Sequence, residues 1–269
     1  MRRILGTLFA LLTVACGVQP SPILTPVQPR TAPLELGAND CWHCPGMSAD
    51  IEAEWCSWKS PWIRTPQISA DSLRAHLAAV TCPSVKTLAL VEGPDAGLAA
   101  ALAAVLPADA KLEIGNELEL APRNLSQSAY ATAVMQMHDA ARQAGFSGEI
   151  IAGAVYALTD DTKARVGAAL AACPDCSAGL HVYEVPSPAD LNWIRSLNRR
   201  VWVTETGSPT GCGTAQYQAQ HDYLASMLTT LGTVENIVGV ILYQRPAGPS
   251  CSNADTFSIA GHPAEELLK

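Results

Sequence analysis

Short apolar runs alternate with Ala/Leu-rich stretches from about residue 34 onward, and this alternation predicts an α/β fold, a parallel (β/α)8 TIM barrel. Eight strand–helix units are counted, and two of the runs end on a glutamate. A strand buried on both faces has little reason to finish on a carboxylate, because an unpaired charge is costly to desolvate. In a barrel, such endings gather at one rim.

The elements follow in order. The first run, 33–39, leads into residues 40–61, which hold Trp42, Trp55 and Trp58 with Cys41, Cys44 and Cys56 where a regular helix should stand. The first β/α unit is therefore expected to be abbreviated and disulfide-rich. Strand 62–66 precedes helix 70–80, and strand 85–91 precedes helix 96–106. Strand 110–117 precedes helix 127–144, where Tyr130, Ala133, Val134, Met137 and Ala141 recur at helical spacing on one face. Then come strand 149–155 with helix 162–172, strand 178–183 with helix 188–197, and strand 200–206 with helix 214–231. The last strand is 237–244, followed by a short terminal helix at 263–268. An open doubly wound sheet is the alternative, but no G-x-G-x-x-G or G-x-x-x-x-G-K-[ST] follows a strand, so the usual phosphate cradle is missing. H-E-x-x-H and G-x-S-x-G are likewise missing.

Composition narrows the function. The 269 residues are 48% hydrophobic, ample for a core, and the formal net charge is −8 with no basic stripe. That disfavours nucleic acid as a partner. Arg2-Arg3 followed by the apolar run 4–15 has the form of an export signal, too short to span a bilayer. Leu12-Thr13-Val14-Ala15-Cys16 resembles a bacterial lipobox, with Thr13 where leucine is preferred, which makes Cys16 the expected site of lipidation. Residues 17–33, rich in Pro, Gln, Thr and Ser, read as a flexible tether, so the domain divides into signal 1–15, tether 16–33 and barrel 34–269. The protein is expected to be exported, monomeric, and attached to the membrane through the lipid alone. Removing Cys16 leaves eight cysteines, an even number that suits up to four disulfides. Cys212 and Cys251 are the first pair expected. Zinc on Cys41, His43 and Cys44 with Cys56 or Cys82 is the competing reading, and Cys173-Pro174-Asp175-Cys176 is read as a small structural loop.

Asn116-Glu117 closing the fourth strand and Glu205 closing the seventh resemble the paired glutamates of clan A glycoside hydrolases, the 4/7 superfamily of barrel enzymes. His181-Val182-Tyr183 and Tyr243-Gln244 add to the resemblance, which extends to short secreted glucan hydrolases of the clan. It implies Glu117 as general acid/base, Glu205 as nucleophile, no cofactor, and a polysaccharide or oligosaccharide substrate. Arg64 matches the clan's second-strand arginine that steadies the nucleophile, and Tyr243 stands where many members carry a sugar-stacking tryptophan.

The residues themselves support those roles. A retaining glycosidase holds its two carboxyl groups roughly 5–5.5 Å apart, one attacking the anomeric carbon while the other protonates the leaving oxygen. Glu205 must stay ionised, for which Tyr183 is the best donor. His181 is placed to reach Glu205 or a sugar hydroxyl, Asn116 to hold a 2-hydroxyl, and Glu92, at the end of the third strand, to contact substrate. Glu113 shares the face of Glu117 but lies deep in the strand, and Glu119 lies past its end. Trp42, Trp55, Trp58 and Trp62 are expected either to floor a cleft or to form a disulfide-stapled minicore. The competing functions are a non-catalytic carbohydrate-binding barrel, which has no need of both carboxylates, and a structural or metal-binding lipoprotein built on the cysteines.

Overall fold

A computed structural model describes residues 32–39, 55–59, 61–208, 214–243 and 263–269. Eight parallel strands close into a barrel in chain order: β1 (Glu35–Asn39), β2 (Trp62–Pro66), β3 (Lys86–Val91), β4 (Lys111–Asn116), β5 (Glu149–Ala154), β6 (Ser177–His181), β7 (Val201–Thr206) and β8 (Ile237–Leu242). β8 pairs with β1, Gly37 opposite Ile241, and this pairing closes the ring. Among the described residues, the α-helices that cover it include α1 (Ala70–Ala79), α2 (Ala96–Ala103), α3 (Gln127–Gln143), α4 (Asp160–Ala172), α5 (Pro188–Ser196) and α6 (Thr214–Gly232). The terminal helix over Pro263–Leu268 is a 3-10 helix. The expected strands 178–183 and 237–244 end earlier, at His181 and Leu242.

The helices start where the sequence supplies a cap. Ser69, Thr159 and Ser187 each accept from a backbone N–H three residues on, and the residue at that third position bonds back. Asp95 and Ser126 cap α2 and α3 in the same sense without the return bond. The face of α3 read from its spacing is the buried one: Tyr130, Ala133, Val134, Met137 and Ala141 all point to the sheet.

Two apolar layers result. The outer one lies between helices and strands, and the inner one fills the start of the barrel with Trp62, Leu88, Ile151, Trp202 and Ile241. There the two indoles meet edge to face at 5.5 Å. The Lys111 ammonium sits 4.2 Å from the Trp62 ring centroid and 4.7 Å from that of Trp202. Lys111 is neutralised by Glu149 at 2.5 Å, and Glu149 also accepts from the Trp202 indole and from Ser177. Burial pushes the Glu149 carboxyl up, yet Lys111, Ser177 and Arg200 outweigh it and hold it down at about 2.

Trp55, Trp58 and Trp62 do not floor a cleft. Trp62 opens β2, at the end of the barrel opposite the strand C-termini, and Trp55 and Trp58 are buried in the outer core. The Trp58 indole donates to Glu265 of the terminal helix, and Lys59 N–H donates to the Leu268 carbonyl. Cys56 is disulfide-bonded to Cys82, which ties this segment to the α1–β3 connection and removes both sulfurs from any zinc set. Cys173 and Cys176 form a second disulfide. Cys16, Cys41, Trp42, His43, Cys44, Cys212, Gln244 and Cys251 lie outside the described residues.

Candidate active site

The site is built at the C-terminal ends of β2, β4, β6 and β7. Arg64 on β2 is its hub, buried and in contact with three side chains. Its Nε and Nη2 form a fork on the Glu113 carboxylate at 2.5 and 2.9 Å. Its Nη1 donates to Glu205 Oε1 at 2.5 Å, and Nη2 also reaches Asn116 Oδ1 at 2.8 Å. Burial pulls the guanidinium pKa down, but Glu113 and Glu205 raise it far more, so Arg64 stays charged.

β7 brings Glu205 inward through an irregularity. Strict alternation sends Trp202 into the barrel and Val203 outward, which leaves Glu205 facing out. The pairing with β6 shifts instead: Leu180 lies opposite Val203, but His181 lies opposite Glu205, with Thr204 as the extra residue. One inserted residue reverses the facing of everything after it, and bulges of this kind re-aim side chains beside functional sites. The Glu205 carboxylate thereby meets Arg64 on one oxygen and the Tyr183 hydroxyl, which donates to Oε2, on the other. Burial pushes Glu205 up, whereas the His181 imidazole, the Arg64 guanidinium and the Tyr183 hydroxyl push it down. The net effect is a carboxyl held below its ordinary value. Tyr183 moves the opposite way, raised by burial and then by the Glu205 charge, so it remains a donor.

The end of β4 is irregular for a different reason. Gly115 has φ +80° and Glu117 φ +48°, so two left-handed residues flank Asn116. Glycine suits the first position: an added Cβ there would lie 2.9 Å from the Leu118 Cδ1 atom. This backbone lets Asn116 and Glu117, neighbours in sequence, both serve the barrel interior. Glu117 Oε1 lies 2.7 Å from His181 Nδ1, and His181 Nε2 lies 3.7 Å from Glu205 Oε1. His181 is thus fully buried between the two carboxylates. One ligand atom from each of Glu117, His181 and Glu205 falls within 4.8 Å of the others.

Those three residues also have the chemistry of a metal set, but both Glu205 oxygens already accept from Arg64 and Tyr183. His138, Cys173, Asp175 and Cys176 form a second close group, in which the two sulfurs are spent on each other.

Most of the sequence-derived residues converge. Glu117, Glu205, Asn116, His181, Tyr183 and Arg64 share one network. Tyr243 sits just past β8, its ring 6.1 Å from that of Tyr183 in a T-shaped contact. Glu92 joins through its backbone: its carbonyl accepts from Asn116 N–H at 3.3 Å, while its side chain is exposed. Sequence reasoning passed over Glu113 as merely deep in the strand. A carboxylate at full burial demands a cation, and Arg64 at the end of β2, two strands away, was the available signal.

No protein-family model matches the sequence, and no curated protein matches it. Solved structures do. A family 5 broad-specificity endoglucanase from Clostridium longisporum superposes with a TM-score of 0.61 at 12% identity, over 88% of this chain and 92% of its own. A family 5 glycoside hydrolase from Prevotella bryantii gives 0.65 at 11% identity, over 87% and 94%. The (β/α)8 barrel of this chain is thus a fold that these solved glycoside hydrolases share. A family 128 (subgroup II) endo-β-1,3-glucanase from Pseudomonas viridiflava gives 0.59 at 17% identity, over 84% and 92%.

Proposed function

We propose that this protein is a retaining glycoside hydrolase, or a transglycosylase of the same chemistry, acting on a β-linked polysaccharide or oligosaccharide. The observation that carries the reading is the unequal treatment of two converging carboxylates. Glu205 is nearly buried and receives the charged and phenolic donors, as an ionised nucleophile requires. Glu117 is more open, on a left-handed residue beyond the strand, and shares only His181 with it. Carboxylate oxygens within 4.8 Å suit the short separation of retaining enzymes, roughly 5–5.5 Å between groups, rather than the roughly 6.5–9.5 Å that leaves room for an inverting water.

In this mechanism a Glu205 oxygen attacks the anomeric carbon as Glu117 gives its proton to the leaving oxygen. A glycosyl ester on Glu205 results. Glu117 then takes a proton from water, or from an acceptor sugar, which attacks the same carbon and frees Glu205. Arg64 and Tyr183 orient the attacking carboxylate. Asn116 stands beside Glu117 with its carbonyl oxygen fixed by Arg64, which aims its amide N–H groups away from the guanidinium and toward a sugar 2-hydroxyl. Tyr243, just past β8 with its ring 6.1 Å from that of Tyr183, is the candidate for stacking on the sugar.

The test is a panel of β-glucans, mannans, xylans and galactans with the native protein and with Glu205→Gln. Glu205→Gln should lower turnover by several orders of magnitude and keep substrate binding. Glu117→Ala should spare activated aryl glycosides, and added azide should restore part of its deglycosylation. Near-normal activity of both variants on a natural glycan places the site elsewhere. Binding without cleavage by the native protein favours the non-catalytic barrel. An exported, lipid-anchored location belongs to the same proposal; the two disulfides support an oxidising compartment. Metabolic lipid labelling that persists in Cys16→Ser refutes the anchor.

A further inference from the structure

We propose that His138, Cys173, Asp175 and Cys176 form a zinc site, shut while the Cys173–Cys176 disulfide stands and opened by its reduction. The proposal is independent of the hydrolase reading, because these residues lie at the other end of the barrel. Cys173 to Cys176 join α4 to β6 beside the N-terminal ends of the strands, and His138 comes from the neighbouring helix α3.

The donor set is one that a borderline-soft ion takes: two sulfurs at Cys-x-x-Cys spacing, an imidazole and a carboxylate. One ligand atom from each residue lies within 4.8 Å of the other three. Around a tetrahedral zinc, with bonds of about 2.0–2.3 Å, ligand atoms stand within about 3.8 Å of one another. Side-chain rotation covers a difference of about 1 Å. The two sulfurs must part, and breaking the bond between them allows it.

The imidazole is already oriented. His138 Nδ1 lies 2.9 Å from Asp139 Oδ1, and that carboxylate fixes a proton on Nδ1, which leaves Nε2 with its lone pair. Nε2 is buried and lies 2.7 Å from Asp175 Oδ1, off the line that a hydrogen bond requires. Two electron-rich atoms facing each other this closely suit a shared cation. Asp175 is held by Arg142, whose Nη2 and Nε donate to the other carboxylate oxygen at 2.7 and 3.1 Å. Arg199 donates to the Pro174 carbonyl in the same loop. Those two guanidinium groups favour thiolates at the opened cysteines. Both cysteines are buried and Asp175 is exposed, so an ion enters past the carboxylate.

The chemistry balances in two steps. A dithiol exchanges with the Cys173–Cys176 bond and gives up two electrons and two protons; its own disulfide forms as that bond breaks, leaving two protein thiols. Zinc(II) then binds both sulfurs as thiolates and releases their two protons to water, with no change of oxidation state.

The experiment uses the whole chain, either oxidised or reduced with dithiothreitol and desalted without air, and cobalt(II) as a coloured stand-in for zinc. The reduced protein should gain a thiolate-to-cobalt charge-transfer band that zinc abolishes, and the oxidised protein should show none. Cys173→Ser with Cys176→Ser should lose most of the band, whereas Cys56→Ser with Cys82→Ser should keep it. His138→Gln and Asp175→Asn leave every cysteine in place. Each should weaken zinc binding to the reduced protein by at least about tenfold, read by competition with a chromophoric chelator. A band of native intensity without Cys173 and Cys176 puts the metal on other cysteines and overturns the proposal. So does a reduced protein with no band, or one whose zinc affinity is unchanged in both His138→Gln and Asp175→Asn.

Discussion

Replacing Arg64 by Met tests whether the hub is a balanced buried charge. The substitution removes both hydrogen bonds that Arg64 gives the Glu113 carboxylate and one of two donors on Glu205, at sites almost closed to water. Breaking one side of a buried ion pair costs roughly 3–5 kcal/mol, because the remaining charge is left without compensation. At roughly 2–4 °C per kcal/mol for domains near this size, the melting temperature should fall by about 6–20 °C. Adding Glu113→Leu removes the orphaned carboxylate, and an apolar replacement of a whole buried pair is often close to neutral. The double variant should therefore regain most of the lost stability, while glycan cleavage stays low because Glu205 still lacks its cation. Thermal unfolding followed by circular dichroism at pH 7 reads the first effect, and reducing-sugar release reads the second. A single variant that melts within about 2 °C of the native protein, or a double variant no more stable than the single, refutes the reasoning.

Tyr183→Phe deletes a donor to the ionised form of Glu205, so the Glu205 pKa rises and the acid limb of the kcat/KM profile should move to higher pH; a limb that stays put removes Tyr183 from that role. His76, buried on α1 with its ring 6.1 Å from Trp55, is held at about 4 by burial, below its ordinary 6.5. The unfolded chain then binds a proton that the folded one refuses, so stability should drop as pH falls from about 6.5 to 4, and urea titrations of His76→Phe should show a shallower drop. Cys82→Ser opens the loop closed by Cys56–Cys82 and should cost about 2–4 kcal/mol by the same titrations, with Cys56→Ser giving an equal loss.

The architecture was legible because a (β/α)8 chain writes its repeat plainly: alternating apolar runs and the buried face of α3 carry local signals. The carboxylates at strand ends were legible for the same reason, since a charge at the edge of an apolar run is a local anomaly. What could not be read was facing. Counting alternate residues along β7 from Trp202 turns Glu205 outward, and only the pairing shift at Thr204 turns it in. That shift depends on β6, a partner that the linear sequence does not specify. The Arg64–Glu113 fork is non-local in the same way, joining β2 to β4 across the barrel interior. Of the two readings of the tryptophans, the disulfide-stapled minicore holds for Trp55 and Trp58 beside Cys56–Cys82, while Trp62 belongs to the opposite end of the barrel, packed on a residue 140 positions later.

That opposite end has its own consequence. Trp62, Trp202 and the Lys111–Glu149 pair fill the barrel below Arg64, so the candidate site opens at the C-terminal ends of the strands and not through the barrel floor. On the proposed hydrolase reading, substrate and both fragments share the approach at the strand C-termini, so product should compete with substrate there.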